Sequence, residues 1–427
     1  MTQFTFAPDG RYRAIPEGRI LEILLLSGWA YEIREGERDA AVRETQSALD
    51  GWVDLGLPFE RSARGERLFD PTEVVNFLKW AGLFHGDRFW EARFVSTGRR
   101  LTHSFLSPNS ATNDPPQLSD LPPRAFAVVL RREFNLEGAP SSRRLRLRLP
   151  LPIEDDNLGD LQISILPHGF MDEFRTIVTP GRLDALIHAP IGPAVSLGFE
   201  ATFTACAASA APGSLASAER DLYTRPSEGL IQLTPRIAAL AERLAGAERE
   251  PLRLVERFWS YMIENLFCGA VRYEELPATR PLDFVLEKGW FDCQLGSALL
   301  AGLCRSRGIP ARINSGHLLY PLAPTNHYWV EIWCGDAGWL PFDLLAWDLS
   351  ARGRDSAWKD HFLGRLDYRF KTERLPRLFT GLSPVKLPLA WRILLRPLKE
   401  GVEIGFAALP SGEAVFTDRI SVTQTRE

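Results

Sequence analysis

Three side chains within residues 289–348 could together do nucleophilic chemistry: a cysteine at 293, a histidine at 327 and an aspartate at 343. Leu295, Ala298, Leu299, Gly302 and Leu303 recur at three- and four-residue spacing, which predicts an amphipathic helix over 294–306. Gly308 supplies a left-handed cap and Pro310 forbids continuation. Cys293 therefore stands at or beside a helix N-terminus, where unpaired N–H groups and the positive dipole end favour a thiolate and offer oxyanion donors. The aromatic and β-branched run 327–333, between Pro324 and Gly335, predicts a strand, and 339–344 its antiparallel partner. If the loop is the five residues 334–338, Trp333 faces Trp339 and Asp343 faces Trp329, one same-face diagonal from His327. A carboxylate there can hold the imidazole in the tautomer that turns its other nitrogen to the thiol, which acyl transfer through cysteine requires.

Taken singly, these residues have ordinary explanations. A lone helical cysteine is usually a small buried hydrophobe, the reading adopted for Cys304, and a lone histidine in an aromatic strand is usually a satisfied core residue. The ordered set carries the functional reading. His317 is the nearest rival base.

The same residues carry a resemblance. Cys293 on a helix, then Gly308-Ile309-Pro310-Ala311-Arg312, His327-Tyr328-Trp329-Val330-Glu331 and Gly338-Trp339-Leu340-Pro341-Phe342-Asp343 resemble the transglutaminase-like superfamily in order and spacing. Phe362-Leu363-Gly364-Arg365-Leu366-Asp367-Tyr368-Arg369 resembles the segment that closes this domain in bacterial members. The resemblance implies a papain-like core with Cys293, His327 and Asp343 as catalytic triad. It implies a cysteine peptidase or acyltransferase acting on a peptide or protein. Phe291 and Tyr328 depart from the family pattern by their bulk, so Phe291, Tyr328 and Trp329 are expected to wall and narrow the substrate cleft. The backbone N–H of Cys293 is expected to form half of an oxyanion hole. Trp290 and Asn265 are candidates for the second donor on sequence proximity alone.

The elements that must position this set follow from the rest of the chain. Its 427 residues, 45% hydrophobic, suffice for two to four domains. Residues 1–106 read as a mainly helical domain, with apolar faces through Ile20 and Ile23 and through Ala48 and Trp52, and a third helix capped by Asp70 with Pro71 first. The domain reads as a packing or interaction module; the alternative is a winged-helix-like fold, with a small hairpin expected within 91–106. Residues 107–124, rich in Pro, Ser, Asn and Asp, read as a linker. Short alternating segments over 125–206 predict a β-sandwich, 220–375 holds the catalytic domain, and 376–427 is expected to be a small β appendage covering one side of the cleft. The fold class expected is thus α+β: a papain-like transglutaminase core preceded by a β-sandwich domain and an N-terminal helical domain.

A formal charge of −4 over this length predicts neither nucleic-acid nor polybasic membrane binding. Five cysteines without CxxC spacing argue against a disulfide framework or zinc site, so no metal and no cofactor is expected. No signal-peptide pattern opens the chain, and a cytoplasmic location is expected. The favoured function is amide hydrolysis. Alternatives are transglutaminase-type or thioester-dependent amide formation, with residues 1–106 docking a protein partner, and a catalytically silent peptide-binding module.

Overall fold

The computed structural model describes residues 14–29, 33–34, 36–96, 105–106, 115–117, 121–135, 145–167, 173–177, 181–187, 194–207, 213–272, 276–277, 279–344, 356–375, 402–409 and 412–425. Helices α1 (Glu17–Gly28), α2 (Arg38–Asp54) and α3 (Pro71–His85) bury Ile20, Leu24, Leu49, Trp52, Phe77 and Leu78 in one core. α3 begins where its local chemistry dictates: the Asp70 carboxylate accepts from the Thr72 N–H at 2.8 Å, Pro71 occupies the first position, and Gly86 (φ 69°) ends the helix. The hairpin expected within 91–106 is corrected for its first part. Trp90–Val95 is a π-helical turn, held by stacking of Trp90 on Phe94 (5.6 Å, 13°) and by seating of the indole on Gly82, where a Cβ would come within 2.2 Å of it. Residues 97–104 lie outside the described residues.

Strands β1 (Arg124–Asn135), β2 (Leu145–Pro150), β3 (Leu158–Ile165), β4 (Glu173–Ile177), β5 (Arg182–Ile187) and β6 (Ala194–Ala205) follow. Alternation places Phe126, Val128 and Leu130 of β1 beside Leu197, Phe199, Ala201 and Phe203 of β6 in the core. β2, β5 and β4 form a separate three-stranded sheet.

Downstream, α4 (Pro235–Ala245), α5 (Pro251–Asn265) and α6 (Pro281–Lys288) pack on α7 (Cys293–Ser306), which lies against one sheet. The short strands β7 (Phe267–Cys268) and β8 (Trp290–Phe291) pair in parallel. β9 (Ala311–Leu318), β10 (Thr325–Trp333), β11 (Trp339–Phe342) and β12 (Arg369–Leu375) form an antiparallel sheet ordered β11-β10-β9-β12. α7 is buried along nearly its whole length. No helix among the described residues is long and apolar enough to cross a membrane.

The C-terminal strands correct an expectation. β13 (Val402–Leu409) and β14 (Gly412–Gln424) do not form a separate appendage: β14 pairs with β1 from Asn135 to Phe126, completing a five-stranded sheet ordered β13-β14-β1-β6-β3. Ile420 and Val422 enter the core opposite Leu130 and Val128, and the Asp418 carboxylate pairs with the Arg132 guanidinium at 2.6 Å. Residues 376–400 lie outside the described residues.

Candidate active site

The Asp292 carboxylate accepts from the Leu295 N–H at 2.8 Å and caps α7, which fixes Cys293 as the first helical residue. Cys293 is half-buried. Its side chain hydrogen-bonds the His327 ring. On the sheet, Trp333 pairs with Trp339 and Val330 with Phe342, the register that a five-residue loop requires. Asp343 follows Phe342, and its Oδ1 lies 2.7 Å from Nε2 of His327. Nδ1 is the ring nitrogen left for the thiol, and the three side chains form one hydrogen-bonded series.

Asp343 is fully buried, and its second oxygen accepts from Arg369 Nη1 at 2.6 Å. Arg369 Nη2 donates to Asp367 at 2.6 Å, and the Tyr320 hydroxyl donates to the other Asp367 oxygen. Burial disfavours a charge on His327, but the Asp343 carboxylate, by charge and by hydrogen bond, and the thiol beside it carry the imidazole up to about 9. Burial likewise disfavours the charged form of Asp343, and His327 and Arg369 outweigh it, holding the carboxyl down to about 2.

The other candidate residues are distributed differently. Phe291 does not wall a cleft: it is fully buried against Gly296 of α7, where an added Cβ would meet its ring at 2.5 Å. Trp329 is also fully buried, its ring 5.1 Å from the Arg369 guanidinium carbon. The aromatic surface of both goes into packing, which corrects the expectation that they line substrate. Tyr328 is half-buried and, by strand alternation, points to the face opposite His327. Trp290 packs its indole against Phe267 at 5.8 Å. Asn265 is spent elsewhere: its amide donates to the Tyr261 carbonyl at 2.9 Å at the end of α5, in a surface hollow shared with Glu256, Arg257 and Ser260 that contains none of Cys293, His327 or Asp343.

His317 stacks on Phe370 at 5.0 Å on the sheet face opposite His327, so the rival base is turned away from the thiol. Cys304 is fully buried, and burial pushes its thiol well above the usual range; burial pushes Cys334 up to about 12. Among the described residues no group of three His, Cys, Asp or Glu is placed to hold a metal ion. Sequence reasoning missed Arg369, Asp367 and Tyr320. Two of them stand in the quoted segment 362–369, but nothing local tells which of its charges reaches Asp343.

Residues 238–344 match the family model of the transglutaminase-like superfamily. A curated relative, the protein-glutamine gamma-glutamyltransferase of Pseudomonas aeruginosa, is 29% identical over 168 residues, covering 37% of this chain and 25% of the relative. The chain thus matches only a quarter of that protein's length. Among solved structures, a candidate cysteine protease from Cytophaga hutchinsonii is 13% identical with a TM-score of 0.45, covering 72% of this chain and 92% of its own. The periplasmic domain of TgpA from Pseudomonas aeruginosa is 21% identical with a TM-score of 0.31, covering 55% and 91%. At these TM-scores neither structural likeness bears on function.

Proposed function

We propose that this chain, which carries a transglutaminase-like domain over residues 238–344, performs cysteine-dependent acyl transfer on amide substrates, with hydrolysis as the favoured outcome. The observation that carries the reading is the hydrogen-bonded series Cys293–His327–Asp343 with the cysteine at the start of a helix. In this scheme the Cys293 thiolate attacks the carbonyl carbon, and the oxyanion that forms is met by the N–H groups at the start of α7. The C–N bond breaks as the imidazolium of His327 gives its proton to the leaving amine, leaving a thioester. Water then attacks the thioester, His327 takes the proton, and the C–S bond breaks to restore the thiolate. Asp343 orients the ring and stabilises its charged form throughout. The substrate class is a peptide or protein.

An amine in place of water would form a new amide bond. The Pseudomonas relative, a protein-glutamine gamma-glutamyltransferase, favours this second reading. The two are separated by incubating the protein with glutamine-containing peptides, with and without a primary-amine probe, and following products by mass spectrometry. Peptide-bond cleavage or deamidation lost in Cys293→Ala supports hydrolysis, and Cys293-dependent incorporation of the probe supports amide formation. Retained peptide binding with no turnover in the wild type would defeat both and leave a silent binding module.

A further inference from the structure

Helix α3 packs on the nucleophile's support: the Phe84 ring meets Phe267 at 6.5 Å, and Asn76 reaches the residues just beyond it. Asn76 of α3 is fully buried, and its side-chain amide meets the backbone of Ala270 twice: Oδ1 accepts from the Ala270 N–H at 2.7 Å and Nδ2 donates to the Ala270 carbonyl at 3.1 Å. A primary amide used in this way replaces the neighbouring strand that residue 270 lacks. The preceding residue has to be glycine, since a Cβ on Gly269 would come within 2.4 Å of Asn76 Oδ1. On the far side of the contact, Arg272 is buried in an ion pair with Asp70, the residue that caps α3, and lies 3.7 Å from Glu73. These partners are 194 and 202 positions apart in the chain.

What the contact holds is the parallel pair β7–β8. Phe267 N donates to the Gly289 carbonyl at 3.1 Å and Gly269 N to the Phe291 carbonyl at 2.7 Å. Two-residue strands have little stability of their own. Phe291 is followed by the cap Asp292 and then by Cys293, so the position of residues 268–270 sets where α7 begins.

We infer that Asn76 is a positioning residue for the nucleophile, and that the N-terminal helical segment completes the active site by holding residues 268–270 against the strand that leads into Cys293. The inference rests on the reading of Cys293 as an activated thiol. A displacement of the thiol by about 1 Å relative to His327 would cost on the order of 100-fold in reactivity.

The test is the iodoacetamide labelling rate of Cys293 against pH in the full chain, read by mass spectrometry with Cys206 as internal reference. In the wild type, selective labelling of Cys293 at about pH 6 that is abolished by His327→Ala is expected. Asn76→Ala should slow that labelling about ten-fold or more and move its rise toward the ordinary thiol range near pH 8.5, with Cys206 unchanged. Asn76→Asp keeps the acceptor for the Ala270 N–H and loses the donor, and should fall between the two. If the wild type shows His327-dependent labelling and both Asn76 variants retain its rate and pH profile, the inference fails while the acyl-transfer reading stands. If the wild type shows no such labelling, both fail. If neither variant folds, the contact is a general fold contact and the positioning role is overturned.

Discussion

The sheet face that carries His327 and Asp343 also carries a second buried ionic network, and the two differ in one respect. At the His327 end the chain of contacts is His327–Asp343–Arg369–Asp367–Tyr320. At the other end Glu331 pairs with Arg312 at 2.7 Å and with Lys371 at 2.6 Å, and Lys371 continues to Asp155 at 2.7 Å. Each network balances two acidic groups against two basic ones, the first only when His327 is an imidazolium. The second is closed, every member spending its charge on another, and it ties the sheet to the loop before β3. The first has an open end, where His327 meets a half-buried thiol. Similar buried chemistry becomes a candidate for catalysis where one member can exchange a proton with a nucleophile, and otherwise fastens elements together.

The sharpest way to break this comparison is to neutralise one carboxylate in each network. Asp343→Asn should lower turnover on the order of 1,000-fold or more, since the amide no longer selects the productive tautomer or stabilises the imidazolium. Glu331→Gln should leave kcat within about a factor of three of the wild type when measured at a temperature where both are folded, because no proton transfer passes through it. Equal kinetic losses in the two variants would mean that the networks act as one unit.

Next in size are the cations. Arg369→Met strands two buried carboxylates, and Lys371→Met strands Asp155 and half of Glu331, so each should cost about 3–5 kcal/mol in denaturant unfolding. Only Arg369→Met should also change the pH profile of Cys293 labelling. A shift in that profile with Lys371→Met would contradict the division drawn between the networks.

How much of this was legible before the structure depended on distance along the chain. The Cys293 helix start and the diagonal between Asp343 and His327 came from local signals: periodicity, a glycine–proline stop and a five-residue loop that leaves one sensible register. The third helix was readable from Asp70 and Pro71 for the same reason. Arg369 reaching Asp343 across 26 positions, Asn76 reaching Ala270 across 194 and β14 choosing β1 as its partner are long-range choices that no local pattern encodes. The misplaced cleft aromatics have another cause. Bulk and aromaticity state how much surface a side chain must bury, not which surface, and Phe291 and Trp329 bury theirs within the core.

The pH response separates the networks by a smaller margin. His327 is carried up to about 9 in the folded protein, so its contribution is full below its unfolded value of about 6.5 and is lost as pH rises through about 9. Asp343 is held down to about 2, so its contribution is full above its unfolded value of about 3.9 and is lost as pH falls through about 2. The stability difference between wild type and His327→Gln, measured by urea unfolding, should therefore be greatest between about pH 4 and 6.5 and shrink on the way to pH 10. The network around Glu331 contains no histidine, so the difference between wild type and Lys371→Met should stay level over pH 5–9. A level His327→Gln difference over the same range would mean that the ring is neutral in the folded state.

The smallest effect tests how far the open network extends. Tyr320 is fully buried, and burial together with the Asp367 charge pushes its hydroxyl well above the usual phenol range, so it is a donor at every working pH. Tyr320→Phe leaves the ring packing in place and removes one hydrogen bond to the Asp367 carboxylate, which should cost about 1–3 kcal/mol. Arg369 then has to satisfy Asp367 alone, and any relaxation of its guanidinium toward Asp367 lengthens the bond to Asp343. The expected kinetic signature is a loss in kcat of a few-fold with KM unchanged, because the substrate does not touch Tyr320 in the proposed scheme. A Tyr320→Phe protein that is destabilised but turns over at the wild-type rate would end the functional network at Arg369 and make Asp367 and Tyr320 part of the packing alone.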